Sequence, residues 1–314
     1  VEKAGCRFLA KGIRYCFCIV NIFQKINYNI ETYLCYKKEN VMYTYSEHYK
    51  KCLEVNKVES DKSAKYSSLY DVSVDTDVLD VDQQYYDIVQ SLAKKASYKL
   101  DNNIGCWNGS HFVRYLNEWR DIGEVYALAE YIMPQLEQKV FHCGLQIEFA
   151  LVYRNLKDID NLEASWLWHY DDAPSEFLKF AVYLNDVDED NGCFEYLVDE
   201  NGEAPVLPSS RKSPLVAGGG PGEQLYKGSR IPDDVVQKIY DKGGKKVSLA
   251  GPPGTHALFN PNIMHRATVP KSNTISRDGI FFLIRPCLQK YESYINSKTS
   301  SILPKRNVKV YQLD

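Results

Sequence analysis

From Ala164 to Leu184 the chain reads ASWLWHYDDAPSEFLKFAVYL. Its second half points to the class of backbone. Leu178, Phe180, Val182 and Leu184 are all apolar, whereas Phe177, Lys179, Ala181 and Tyr183 are mixed. Successive side chains of a strand point to opposite faces. This period of two therefore predicts a strand with one dry face and one face lining a polar cavity. The first half, Ala164-Ser165-Trp166-Leu167-Trp168, is aromatic and apolar enough to predict another strand. That strand runs into His169-Tyr170-Asp171 and ends at Asp172-Ala173-Pro174, because proline cannot continue a central ladder. Residues two apart on a strand share a face, so His169 and Asp171 can share one ion. Trp166 and Trp168 have the opposite parity and are expected to pack beneath the sheet.

Flanking segments repeat the pattern. Leu145, Ile147, Phe149 and Leu151 alternate with Gln146, Glu148, Ala150 and Val152. Asn185 to Asn191 is an acidic turn that Gly192 closes before a strand at Cys193 to Val198. Gly254 to Ala267 reads as a hairpin: a strand, a tight turn at Asn260-Pro261-Asn262 and a second strand carrying His265. Arg277 opens a strongly apolar strand that runs to Arg285. An arginine pointing inward from such a strand needs an anion, and a carboxylate held by the guanidinium fork is the usual solution. Two imidazoles and one carboxylate suit a non-haem ferrous iron that keeps coordination positions open. Each residue has a plainer alternative. His169 can be a half-buried histidine between Trp168 and Tyr170. Asp172 is as eligible as Asp171, and His256 competes with His265. Arg285 shares the parity of Arg277 but lies beside Pro286, where a solvated or capping role is expected.

The order of these pieces resembles a known family. An HxD pair, a strand leading to Asp190-Asn191-Gly192-Cys193, a distal histidine and an arginine about a dozen residues later resemble the Fe(II)- and 2-oxoglutarate-dependent oxygenases. Within them the Asp-Asn-Gly-Cys phrase is similar to the phytanoyl-CoA dioxygenase-like branch. The resemblance covers roughly residues 144 to 286. It implies a double-stranded β-helix, or jelly roll, with Fe(II) at one open end. It implies His169, Asp171 and His265 as metal ligands and Arg277 as the residue binding the distal carboxylate of 2-oxoglutarate. O₂ is then the second co-substrate, and hydroxylation or desaturation of a C–H bond in a small molecule is the expected reaction. Asp171 disfavours halogenation, since related halogenases carry a small residue there. Two features depart from the branch. Its Pro-Gly-Ser-His phrase is matched only by Pro208-Ser209-Ser210-Arg211, delayed by residues 199–207. The hydroxyl residue that often follows the arginine by two positions is replaced by Gly279. Tyr183 and Gln146, on the cavity-facing parity, are the expected substitutes.

The rest of the chain is consistent with one catalytic unit. Its 314 residues, 44% hydrophobic and 25% charged, are ordinary for a globular protein. A net charge of −3 gives no electrostatic case for nucleic acid or an anionic membrane. Nine cysteines, with no CxxC pair, read as reduced thiols in a cytoplasmic protein. Residues 1–41 form an uncertain extension holding four of those cysteines. Met42, the first methionine, marks a candidate native start. The apolar run Tyr15 to Val20 is too short to span a bilayer, and no small-x-small cleavage phrase follows it. Residues 42–140 read as helical, with helices at Asp82 to Leu100 and Glu124 to Val140 buttressing the sheet. Their apolar faces are Tyr86, Ile88, Val89, Leu92 and Ala93 in the first, and Val125, Leu128, Ile132 and Leu136 in the second. Pro134 is a candidate kink. Lys57 to Asp80 reads as a polar loop. The expected fold is thus mainly β with helical additions: a jelly-roll core at 141–290, buttressed by N-terminal helices and followed by a polar tail at 291–314. An insertion at 199–250 interrupts the core. It holds a glycine cluster at 218–222 and a helix starting near Ile231, and is expected to act as a lid, so that deleting 212–228 alters substrate choice more than iron binding. Two rival readings are a cupin-like metal enzyme that uses no 2-oxoglutarate, and a jelly-roll binding protein without turnover.

Overall fold

The alternation at 177–184 becomes a strand, β5 (Leu178–Tyr183), lying between two antiparallel neighbours. A computed structural model describes residues 65–66, 71–108, 113–116, 121–138, 144–156, 164–210, 224–271 and 276–287. In chain order the other elements are β1 (Val74–Asp75), α1 (Gln83–Asp101), β2 (Cys106–Asn108), β3 (Val113–Leu116), α2 (Gly123–Leu136) and β4 (Gly144–Asn155). After β5 come β6 (Phe194–Val198), α3 (Asp233–Asp241), β7 (Lys245–Leu249), β8 (His256–Phe259), β9 (His265–Ala267) and β10 (Asp278–Cys287).

The strands form two antiparallel sheets. The larger runs β1-β8-β5-β10-β4-β3-β2 and the smaller β7-β6-β9. His169 adds a fourth position to the smaller sheet by bridging to His265. From β4 onward the chain crosses repeatedly from one sheet to the other. It visits the large sheet at β4, β5, β8 and β10, and the small one at His169, β6–β7 and β9. This winding is the double-stranded β-helix, or jelly roll.

The dry face of β5 is the keel of the main core. Leu178, Phe180, Val182 and Leu184 are all buried there against Val89 and Leu92 of α1 and Leu128 and Ile132 of α2. Each such side chain contributes about 1.5–3 kcal/mol by leaving water, which is what fixes the helices to the sheet. Asp82 caps α1 by accepting the Tyr85 amide at 3.1 Å. The buried stripe of α1 is Tyr85, Val89, Leu92, Ala96 and Leu100. Tyr86, expected in that stripe, is 45% exposed instead. Tyr85 takes its place because its hydroxyl donates to Gly254 O at 2.8 Å beneath the sheet. In α2 the expected residues Val125, Leu128, Ile132 and Leu136 are all buried, and Pro134 lies within its last turn.

Several expectations are corrected. Residues 42–140 are not wholly helical, since β2 and β3 extend the large sheet beyond β4. The described part of the expected loop 57–80 supplies β1, whose Val74 lies opposite Phe259. The insertion closes before 250, because Lys245–Leu249 is a strand of the small sheet with Val247 and Leu249 against its core. Ala164–Trp166 is a 3-10 turn rather than a strand, although Trp166 and Trp168 are buried as expected. Asn260-Pro261-Asn262 joins no hairpin: it carries the chain from β8 in one sheet to β9 in the other. Finally, β4 holds a bulge. Leu283 lies opposite Phe149 and Ile284 opposite Ile147, so Glu148 is an extra residue. Leu145 and Ile147 face the helices before it, and Ala150 and Val152 after it. The extension 1–41, the glycine cluster 218–222, most of the 212–228 deletion and the tail 291–314 lie outside the described residues.

Candidate metal centre

His169 and His265 are direct partners across neighbouring strands. His169 N donates to His265 O at 3.0 Å, and His265 N to His169 O at 2.9 Å. Their imidazole centroids are 4.3 Å apart. Each ring is oriented from behind. His169 Nδ1 lies 2.8 Å from Leu167 O and His265 Nδ1 2.9 Å from Ile263 O. A carbonyl only accepts, so both Nδ1 atoms carry the proton and both Nε2 atoms present a lone pair. Those atoms converge on Asp171, whose oxygens lie 3.8 Å from His169 Nε2 and 3.7 Å from His265 Nε2. Asp171 N donates to Pro261 O at 2.9 Å, which is how the turn between β8 and β9 positions the carboxylate.

Asp172 turns away. Its φ of 50° lies in the left-handed region. Its carboxylate accepts the Ser210 amide at 2.7 Å, the Ser210 hydroxyl, and Gln224 Nε2 at 3.0 Å. His256 also lies elsewhere, stacked on Phe180 with Nδ1 3.0 Å from Gly254 O. Among the described residues His169, Asp171 and His265 alone form a cluster able to hold a metal, their ligand atoms all within 4.8 Å of one another.

Burial sets the charge state. It drives the His169 imidazole well below its ordinary pKa, with the neighbouring His265 adding to the effect. It lowers His265 as well. For Asp171 burial alone would raise the pKa, but Lys179, His265 and His169 outweigh it and hold the carboxyl well below the usual range. Two neutral imidazoles and one carboxylate are the protonation states that a divalent cation requires.

These groups open onto a cavity of about 180 Å³ between the two sheets. Arg277 lines it, only 6% exposed, with its guanidinium carbon 5.5 Å from the Tyr153 ring centroid. Among the described residues its Nε has no hydrogen-bond partner. Arg285 is not solvated as expected: it is 3% exposed and paired with Glu148 of the bulge at 2.8 Å. Tyr183 lines the cavity, but its hydroxyl donates to Leu249 O at 2.9 Å and accepts the Phe194 amide at 3.0 Å. Burial pushes that hydroxyl up to about 12. Gln146 is not among the residues lining the cavity. It lies opposite Arg285, beyond the bulge and far along β10 from Arg277.

Two cavity residues were missed by sequence reasoning. Tyr153 lies opposite Gly279 in the register of β4 and β10. A Cβ on Gly279 would come 3.1 Å from its hydroxyl, so the ring fills the space that the glycine leaves. Lys179 bonds Asp171 Oδ2 through Nζ. The mixed parity of β5 exposed it in the sequence, but nothing there placed it next to a ligand.

No family model matches the chain. It is similar to the L-proline trans-4-hydroxylase of Streptomyces griseoviridis, 26% identical over 141 residues, which are 38% of this chain and 47% of that protein. The chain thus spans about half the length of the curated relative it matches. Among solved structures it is similar to EctD from S. alaskensis with 2-oxoglutarate and 5-hydroxyectoine. The identity is 17% and the TM-score 0.41, covering 74% of this chain and 80% of that one. It is also similar to the epimerase SnoN in complex with Fe3+, alpha ketoglutarate and nogalamycin RO. There the identity is 14% and the TM-score 0.40, with 68% and 78% covered. Scores this low add nothing to the jelly roll, which rests on its own strand order.

Proposed function

We propose that the protein is a non-haem Fe(II) oxygenase that couples decarboxylation of 2-oxoglutarate to hydroxylation or desaturation of a C–H bond in a small molecule. The observation that carries this is one cavity holding both a two-histidine, one-carboxylate cluster and a buried guanidinium whose Nε, among the described residues, lacks a partner. The cluster fits Fe(II), because its donors are oriented and deprotonated and lie within 4.8 Å of one another. The guanidinium fits the distal carboxylate of a dicarboxylic acid. When bound, iron with 2-oxoglutarate and O₂ supplies the oxidising chemistry. The chain supplies the rest. His169, Asp171 and His265 hold the ion. Arg277, with the Tyr153 ring beside it, fixes the far end of the co-substrate and so sets which end meets the metal. Tyr183, occupied with backbone groups, braces the wall rather than binding. Phe259, Phe281 and Leu283 keep the cavity dry. The likeness to a proline hydroxylase favours a small-molecule substrate. The Asp-Asn-Gly-Cys phrase favours the phytanoyl-CoA dioxygenase-like branch, and the thiols favour a cytoplasmic location.

The test is anaerobic. Adding Fe(II) and then 2-oxoglutarate should give the weak visible charge-transfer band of a chelated keto acid. The band should vanish in His169→Ala, and Arg277→Ala should need about a hundredfold more co-substrate, the loss expected for a charge-assisted fork. Folded, iron-loaded protein without the band would remove the 2-oxoglutarate reading.

A further inference from the structure

Three cationic side chains line the cavity: Arg266, Arg277 and Lys179. They differ in what neutralises them. Arg266 is held by Glu195, with Nε to Oε2 at 2.8 Å. Arg277 is committed to the co-substrate in the reading above. Lys179 projects from the cavity face of β5, its side chain only 16% exposed and its Nζ 4.9 Å from the centroid of the Phe281 ring. Among the described residues, Asp171 is the one carboxylate bonded to it.

Asp171 cannot serve two cations in full. A divalent ion, a 2-oxoglutarate dianion, the Asp171 carboxylate and the Arg277 guanidinium cancel one another. Lys179 then remains as one whole positive charge. This count holds whether or not one oxygen of Asp171 keeps its bond to the ammonium. The walls around it are Phe281, Leu283, Leu151 and Phe259, which offer no compensating charge. An uncompensated charge in such surroundings is costly, and the cost is relieved by an anion that enters with an apolar body.

We propose that Lys179 is the anchor for the substrate, and that the substrate is a small carboxylate with an apolar or aromatic body. This rests on the oxygenase reading. It adds the chemical class of the substrate and the residue that selects it. A carboxylate on Lys179 is also held beside the metal ligands, which limits the reacting C–H bond to one within a few bonds of the acid group.

The experiment separates the two layers. The charge-transfer band is read first on wild type, Lys179→Met and Lys179→Arg. Protein loaded with Mn(II), which holds the site without turnover, is then saturated with 2-oxoglutarate. It is titrated with C4–C8 alkanoates, phenylpropanoate and L-proline, each against its primary amide, following paramagnetic broadening of the probe's proton signals. The expected result is a preference of about tenfold or more for at least one acid over its amide. That preference is kept in Lys179→Arg and lost in Lys179→Met, while the 2-oxoglutarate titration moves by less than about twofold. Absence of the band in wild type removes the oxygenase reading and, with it, the basis of this one. A band together with no acid preference in any pair overturns the anchor alone. So does a Lys179→Met variant that loses 2-oxoglutarate or Mn(II) as strongly as it loses the acid, since Lys179 would then belong to the co-substrate or to Asp171.

Discussion

Tyr153 and a hydroxyl residue at position 279 would compete for the same volume. A Cβ on Gly279 would lie 3.1 Å from the Tyr153 hydroxyl and 3.2 Å from its Cζ. Either the glycine admits the ring or a side chain there expels it. Tyr153→Phe keeps the ring beside Arg277 and removes the cavity hydroxyl. It should weaken 2-oxoglutarate by about tenfold, the worth of a hydrogen bond to a charged group, with the melting temperature unchanged. Gly279→Ser should weaken it too, by displacing the ring. Titration of the charge-transfer band measures both, and an unaltered Tyr153→Phe would show that the hydroxyl faces away from the co-substrate. At this scale parity in the sequence put His169 and Asp171 on one face, and the resemblance pointed to His265 and Arg277, which lie at the same cavity. The sequence left Asp172 as eligible as Asp171. Asp172 takes a left-handed φ and bonds Ser210 and Gln224 instead. Arg285 was misjudged because its partner, Glu148, stands in a bulge that no period announces.

The small sheet is clipped by one carboxylate. Glu195 stands at the centre of β6, opposite Ser248 on β7 and Arg266 on β9. It binds Lys246 Nζ and, at 2.8 Å, Arg266 Nε, so each of its neighbours is tied to it. Burial alone would raise its pKa, but Lys246 and then Arg266 pull it below the ordinary 4.5. The folded state therefore binds this proton less readily than the unfolded chain. The stability it contributes is present above the ordinary value and is lost as pH falls through the lowered one. Urea unfolding followed from pH 7 down to about 3 should show a declining midpoint that is flatter in Glu195→Gln. Equal slopes would assign the acid limb to other carboxylates. Elements with a strict period, β5 and α2, were readable in advance, and β10 was readable from its apolar run. Residues 164–168 were not, because their tryptophans report burial, which a 3-10 turn satisfies as well as a strand. In α1 Tyr85 stands in the stripe where Tyr86 was expected, because the two have the same composition signal and it is the Tyr85 hydroxyl that bonds Gly254 O.

Over the whole molecule, the winding of the chain between two sheets depends on which strand pairs with which, and no local period encodes that. The turn at 260–262 looked like a hairpin for this reason. Its partner strands became visible only with the strand order. The same winding brings Asp172, Ser210 and Gln224 together from segments far apart in the chain. Asp172→Asn removes an acceptor and should loosen both segments. Amide exchange at Ser210 and around Gln224 should rise by about tenfold or more, and Fe(II) affinity should move by less than about threefold. Exchange that stays at the wild-type rate would mean that the surrounding packing, not the carboxylate, holds them. One further consequence lies in the mutual amide bonds of His169 and His265. Hydrogen-bonded partners in any antiparallel ladder keep their Cα atoms about 5.5 Å apart, whatever their side chains. The distance between the two imidazoles is thus a legacy of the peptide backbone. Drift in the surrounding sequence can replace nearly every wall of the cavity, and with it the molecule admitted, without respacing the pair.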